Sequence, residues 1–332
     1  MNNITLANNS SRTSMRHGGI GAGQYTQHVS SGANLLDMST REVNFQVLTD
    51  EVKGSGLGVP STDKKMLIRG YDKETPAQYM SVVNKSYRVV ENREILQPLH
   101  EQMINFFDPS VLNDVKVTDT VTKNYTKCYS EYLFPKVSRP IETRNGHKTD
   151  FEFRVIVKNT FDGSGSAVLW CGSIDMFCMN GRISGEFDVA KARHSRNFTA
   201  DGFMVILQKS LERFNNEMAL YQEYADKKLA AVKPVEALYK ALTAGSSEVK
   251  ESKRADTLSD RLFAQYGQES AVRGHNLFSV MSALTHYASH DDERFGLKSN
   301  ATADSLYKRQ EKVSSWLNSK TWQEFVKEAV LA

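Results

Sequence analysis

A chain of 332 residues, 40% hydrophobic and 24% charged, can bury one large core or two modest ones and has the composition of an ordinary soluble globular protein. No stretch approaches the roughly eighteen uninterrupted apolar residues of a membrane helix, and the N-terminus lacks the apolar core of a secretory signal, so a cytoplasmic protein without membrane contact is expected. Cys128, Cys171 and Cys178 are odd in number and lack CxxC spacing, which argues against a disulfide framework and a zinc site, and a net charge of +3 does not by itself argue for nucleic acid.

Residues 1–33 are rich in Asn, Ser, Thr and Gly and read as a flexible N-terminal arm. The glycine run Gly18–Gly23 has no hydrophobic strand before it and so does not read as a nucleotide loop. Short strands are expected over 43–52 and 66–71, then a hairpin from Tyr79–Val83 through Asn84-Lys85 to Tyr87–Val90. Asn92 is placed to cap a helix over 93–107, which Pro98 should kink or restart and Asp108-Pro109 should stop. From Val115 to Phe187 the period becomes two. Val115, Val117 and Val121 share a face that Asp119 interrupts, and Phe151, Phe153, Val155 and Val157 share a later one. Asn145-Gly146 predicts a hairpin turn, making an antiparallel sheet the economical reading.

A long helix should follow, capped by Thr199 or Asp201, with Phe203, Leu207, Leu211, Phe214, Met218, Tyr221 and Ala225 on one stripe. A short helix over 235–243, a polar loop over 245–254 and helices over 276–289 and 303–331 complete the pattern. The fold class expected is α+β: a central antiparallel sheet packed against a long helix, with a helical C-terminal region. The arm (1–33), an α+β core domain (34–230) and the helical region (231–332) are its expected parts.

Basic residues cluster in two stretches: Lys136, Arg139, Arg144, Lys148, Arg154 and Lys158, then Arg182, Lys191, Arg193 and Arg196. Brought together, they would neutralise several phosphates; taken singly, each stretch is a mixed-charge solvated face. Within Arg193–Asn197, Arg193, His194 and Arg196 precede the long helix, an arrangement suited to an anion or to pairing with Glu186 and Asp188. Asn159, Asp162 and Gly163 mark a turn whose amides and hydroxyls can also meet a phosphate or sugar, and Asn180-Gly181 marks another turn. Cys178 reads as a small buried hydrophobe, because no cationic partner or His/Asn constellation accompanies it. His286 and His290, followed by Asp291 and Asp292, have helical metal spacing but no clear third ligand, so no metal is expected. Phosphate loops, nucleophile elbows and Asp-rich metal runs are absent from the sequence, so no catalytic residue or cofactor is assigned and any DNA transaction would be ATP-independent.

Five segments stand in a recognisable order: YRVVENREILQPL (87–99), VKNTFDGSGSAV (157–168), IDMFCMNGRISG (174–185), RHSRN (193–197) and NLFSVMSALTHYASH (276–290). The chain thereby resembles the phage/plasmid-like protein family known as domain of unknown function 932 over roughly residues 40–295. Thr160-Phe161 replaces that family's Ser-His, whereas His194 matches its later histidine. The resemblance implies a protein encoded by a phage, prophage or plasmid and acting in the bacterial cytoplasm; it implies no activity. The leading expectation is a single-stranded DNA-binding or strand-annealing accessory protein of replication or recombination. Arg139, Arg144, Lys148, Arg154, Lys158, Arg182, Arg193, His194 and Arg196 would line the strand, and Tyr125, Tyr129, Tyr132 or Phe153 would stack bases. The alternative is a non-catalytic protein-interaction factor that modulates a host enzyme. Phage or host replication proteins and a second copy of the chain are the other partners considered, and a metal enzyme using His286, His290 and Asp291 is the least favoured reading.

Overall fold

The structure is a computed structural model, and the residues it describes are 12–15, 24–30, 37–39, 41–53, 60–70, 76–122, 124–177, 180–183, 189–195, 201–244, 253–290 and 303–328. Among them are two antiparallel sheets and eight helices, an α+β fold with a helical C-terminal region. The larger sheet contains β1 (Arg12–Met15), β2 (Gln24–Ser30), β6 (Lys116–Thr122), β7 (Lys127–Glu142), β8 (Lys148–Thr160), β9 (Ala167–Asp175) and β10 (Asn180–Ile183), in that order across the sheet. β11 (Val189–Ala192) also pairs with β9. The smaller sheet has the order β3 (Val47–Lys53), β4 (Pro60–Arg69), β5 (Gln78–Asn84). Where composition suggests only a flexible arm, residues 12–15 and 24–30 are paired strands, because β2 matches β6 residue for residue from Gln24↔Thr122 to Ser30↔Lys116.

Chain contacts divide the protein into two compact units, the first from residues within 1–136, 154–170 and 189–207, the second from 137–153, 171–188 and 208–332. The division runs through β7, β8 and β9, whereas the sequence reading places a boundary near residue 230.

In the first unit Val117 and Val121 of β6 are buried, and so is the Asp119 that interrupts them. Arg41 explains the exception. Its Nε and Nη2 donate to the two carboxylate oxygens of Asp119 at 2.7 and 2.6 Å, while Nη1 donates to Tyr132 Oη at 3.0 Å. Ser130 Oγ also donates to Asp119, at 2.7 Å. α1 (Asn92–Phe106) starts from Glu91 as cap, its amide held by Glu94 Oε1 at 3.0 Å, and runs through Pro98 without restarting. Asn92 is used otherwise: its Nδ2 donates to Val43 O, while its Oδ1 accepts from Asn159 Nδ2, which also donates to Val90 O. α2 (Pro109–Leu112) follows, capped by Asp108, whose side chain accepts from Ser110 N. The hairpin predicted over 79–90 does not form, because β5 pairs with β4 and residues 87–90 lie outside any strand.

In the second unit the Asn145-Gly146 turn joins β7 to β8, with Gly146 at φ +83°, a region that favours glycine. α3 (Asp201–Asp226) docks on this hairpin: Phe151 meets Tyr221 at 5.3 Å and Phe153 meets Phe214 at 5.6 Å between ring centroids. Gln222 fastens it, its amide accepting from Glu142 N and donating to Glu142 O. The remaining helices are α4 (Lys233–Ala244), α5 (Lys253–Arg273), α6 (Leu277–His290), α7 (Ala303–Leu317) and α8 (Lys320–Glu328). α6 is buried on every side from Leu277 to Thr285, against α5, α7 and β10. α5 escapes sequence reading because its buried face mixes Leu262 and Tyr266 with Ser259, Glu269, Ser270 and Arg273, which erases the apolar period. The helix predicted over 303–331 breaks at Ser319, whose Oγ accepts from Trp322 N and starts α8.

Candidate functional site

The small sheet of the first unit has one face turned inward and one turned to solvent. Strict alternation along β5 would put Tyr79, Ser81 and Val83 on one side. A bulge changes this: Leu67 pairs with Ser81 but Ile68 pairs with Tyr79, so Met80 and Ser81 both point inward. Tyr79 is thereby turned outward and is 55% exposed, in company with Val82 (42%) and, across β4, Leu48 (43%). Ser81 is held inside by donating to Phe161 O.

Val82 and Lys64 also line a cleft of about 640 Å³. Its wall is built from three of the family-like segments. Tyr87 stands before α1, Asp162 and Gly163 in the turn between β8 and β9, and His194 just after β11. Tyr87 Oη donates to Thr160 O at 2.7 Å, which uses its one proton, so His194 Nδ1 must be the donor in the 2.9 Å contact with Tyr87 Oη. The two rings stack at 5.0 Å with 12° between their planes. Burial holds His194 below the ordinary imidazole pKa, so it is neutral near pH 7, and burial followed by the charge of Asp162 raises Tyr87 well above an ordinary phenol.

Asp162 Oδ1 accepts from the amide and hydroxyl of Ser164, closing an Asx turn that Gly163 completes at φ +71°. Its Oδ2 has no hydrogen-bond partner among the described residues. Lys64 Nζ donates to Asn84 Oδ1 at 2.6 Å, which leaves two of its three N–H groups for a ligand.

The basic residues singled out from sequence separate into distinct settings. In the first unit Arg193 is exposed, Lys158 is half-buried with Nζ 5.7 Å from the centre of the Tyr129 ring, and Arg154 is buried, Nη1 donating to Glu131 Oε1 at 3.1 Å. Arg154 is therefore a sheet-internal ion pair, not a phosphate contact. Arg139, Arg144 and Lys148 are exposed on the β7–β8 hairpin of the second unit. Arg182 lies in β10 with its side chain outside the described residues, and Arg196 and Cys178 lie outside them altogether. Tyr125, Tyr129, Tyr132 and Phe153 are core rings, none more than 3% exposed, so none can stack a base.

One further correction falls in the second unit. Asn180 and Gly181 are not a turn but the start of β10, opposite Asp175 and Ile174, and the chain reverses earlier, after Asp175. Asp175 Oδ1 accepts from Phe177 N and from Thr149 Oγ1, and its Oδ2 accepts from the buried Arg273, whose Nε donates to Glu269. His286 and His290 have ring centres 4.8 Å apart, with His286 Nδ1 3.8 Å from Glu269 Oε1; Asp291 and Asp292 lie outside the described residues. Among the described residues no three His, Cys, Asp or Glu side chains are grouped to hold a metal ion, and no helix is long and apolar enough to cross a membrane. Cys128 is fully buried and its thiol is pushed up to about 12, chiefly by that burial, so it is no nucleophile.

Sequence reasoning missed Lys64, Tyr79, Val82 and Tyr87 as surface-forming residues. The YRVV segment carried a signal for Tyr87; a bulge has none, because alternation assigns Tyr79 to the wrong face.

No curated protein and no solved structure matches the chain. A family model described as Domain of unknown function (DUF932) matches residues 79–322, well over half the chain, and includes Tyr79, Tyr87, Asn92, Asn159, Asp162, Asp175, His194 and Asn276. The chain belongs to that family.

Proposed function

We propose that this is an ATP-independent single-stranded DNA-binding or strand-annealing accessory protein of replication or recombination, encoded by a phage, prophage or plasmid and acting in the bacterial cytoplasm. The observation that carries the reading is the bulge that turns Tyr79 out onto a solvent-facing sheet. Bulges re-aim side chains at functional sites, and an exposed aromatic on a sheet face is the element on which unpaired bases stack. Val82 and Leu48 extend the apolar platform. Lys64 and Arg193 supply cations in the same unit for the backbone that would accompany stacked bases. The exposed Arg139, Arg144 and Lys148 are a second set of cations, on the other unit.

Fluorescence anisotropy of a labelled single-stranded oligonucleotide, titrated over a range of salt, tests the reading. Affinity should fall linearly on a log–log plot as salt rises, because phosphate contacts release counterions. Absence of binding at the lowest salt would remove the proposal.

The second reading, a protein-interaction factor acting on a host enzyme, is favoured by the apolar character of the same face, where Leu48, Tyr79 and Val82 are exposed together. Pull-down from nuclease-treated host lysate separates the two. Partners that survive nuclease and are lost on Leu48→Asp favour protein contact, whereas partners released by nuclease favour the strand.

A further inference from the structure

The cleft beside the sheet has more chemistry than a stacking platform requires. On one wall stands the Tyr87–His194 stack, a flat pair of rings held by two hydrogen bonds. Lys64 offers two N–H groups and Asp162 one carboxylate oxygen not engaged by the described residues, and Ser86 and Ser195 add hydroxyls. Val82 supplies an apolar edge. A volume of about 640 Å³ lies within the range of small-molecule sites, roughly 300–1,000 Å³.

A ligand complementary to this set has a flat ring, an anionic group and at least one hydrogen-bond donor. We infer that the cleft is a subsite for one nucleotide unit, its base against the Tyr87–His194 stack, its phosphate at Lys64, and an amino group of the base donating to Asp162 Oδ2. The choice of a nucleotide over other flat anions rests on the nucleic-acid reading above. A carboxylate is an acceptor only, so it favours the exocyclic amines of adenine, cytosine and guanine over uracil and thymine, whose single ring donor, N3–H, lies between two carbonyl oxygens that would face the carboxylate unfavourably. His194 matches this role as a neutral, immobilised ring rather than as a phosphate-binding cation, since burial keeps it unprotonated near pH 7.

The shared chemistry can come from a free nucleotide or from a base splayed out of a strand, and the two arms of one experiment distinguish them. Calorimetric titration of the full chain with AMP, CMP, GMP and UMP is compared with anisotropy of homopolymeric oligonucleotides, for the wild type and for Asp162→Asn and Lys64→Gln. Asn keeps the Asx turn, and both side chains border solvent, so thermal melts should match the wild type. The inference predicts that AMP, CMP or GMP binds at least ten-fold more tightly than UMP and that Asp162→Asn removes this preference. Lys64→Gln should weaken every mononucleotide at least ten-fold. Mononucleotide binding without oligonucleotide binding would keep the subsite and remove the strand reading. Oligonucleotide binding with no mononucleotide heat, or with both variants and all bases equivalent, would overturn the subsite and leave the strand reading standing.

Discussion

Arg41 and Asp119 form an ion pair withdrawn from solvent, and its geometry determines what the surrounding side chains can do. Arginine only donates, so His100 Nε2, 3.2 Å from Arg41 Nη1 and 2.6 Å from Tyr132 Oη, must accept from both. Removing one charge leaves the other buried alone, a loss of about 3–5 kcal/mol. Arg41→Met should therefore lower the urea-unfolding free energy by that amount, and Arg41→Met with Asp119→Leu should lower it less than the single change. Burial, and then the charge of Arg41, push His100 down to about 3. The unfolded chain takes up this proton near pH 6.5 and the folded chain does not, so the stability His100 contributes is present above about pH 6.5 and is lost as pH falls toward 3. The slope is at most about 1.4 kcal/mol per pH unit. Urea titrations at pH 7, 6 and 5 should show His100→Gln less stable at pH 7 but with a shallower decline than the wild type. Asp119 is visible in the sequence as a break in an alternating strand; its partner, 78 residues earlier, is not.

At the scale of elements, several family-like residues are joints rather than reactive groups. Asn159 ties the end of β8 to the start of α1 through Val90 and Asn92. Asn276 joins α5 to α6: its Oδ1 accepts from Ser279 N as an N-cap, and its Nδ2 donates to Arg273 O at the preceding helix end. Gly274 makes the turn between them at φ +86°. Asn276→Ala and Gly274→Ala should each destabilise by about 1 kcal/mol, seen as a fall in melting temperature of roughly 2–4 °C. Turn chemistry was legible where one local pair decides the geometry, as at Asn145-Gly146. It misled at Asn180-Gly181, where pairing with β9 overrides local preference. α5 was illegible because buried Glu269 and Arg273 satisfy each other and Asp175 instead of presenting apolar side chains. Tyr87, Asp162, Gly163 and His194 of the candidate site had a sequence signal; the rest depends on the bulge and on β4 bringing Lys64 to Asn84.

At the scale of the whole molecule, both units are assembled from separated stretches of chain, so neither can be excised as one continuous fragment. Tests of function accordingly use the full chain. The cations assigned to the strand fall into two sets, exposed Arg193 with half-buried Lys64 in the first unit and exposed Arg139, Arg144 and Lys148 in the second, and the strand-binding account gives the aromatic platform to the first set alone. Its central claim is that Tyr79 is turned outward to stack a base. The direct measurement is the affinity of wild type, Tyr79→Phe and Tyr79→Ala for one labelled single-stranded oligonucleotide at low salt, with thermal melts alongside. The account predicts near-wild-type binding for Tyr79→Phe and a loss of roughly five-fold or more for Tyr79→Ala, as one lost stack of about 1–3 kcal/mol requires, with melting temperatures unchanged. Equal affinities for all three proteins, or no binding by any of them, would contradict it.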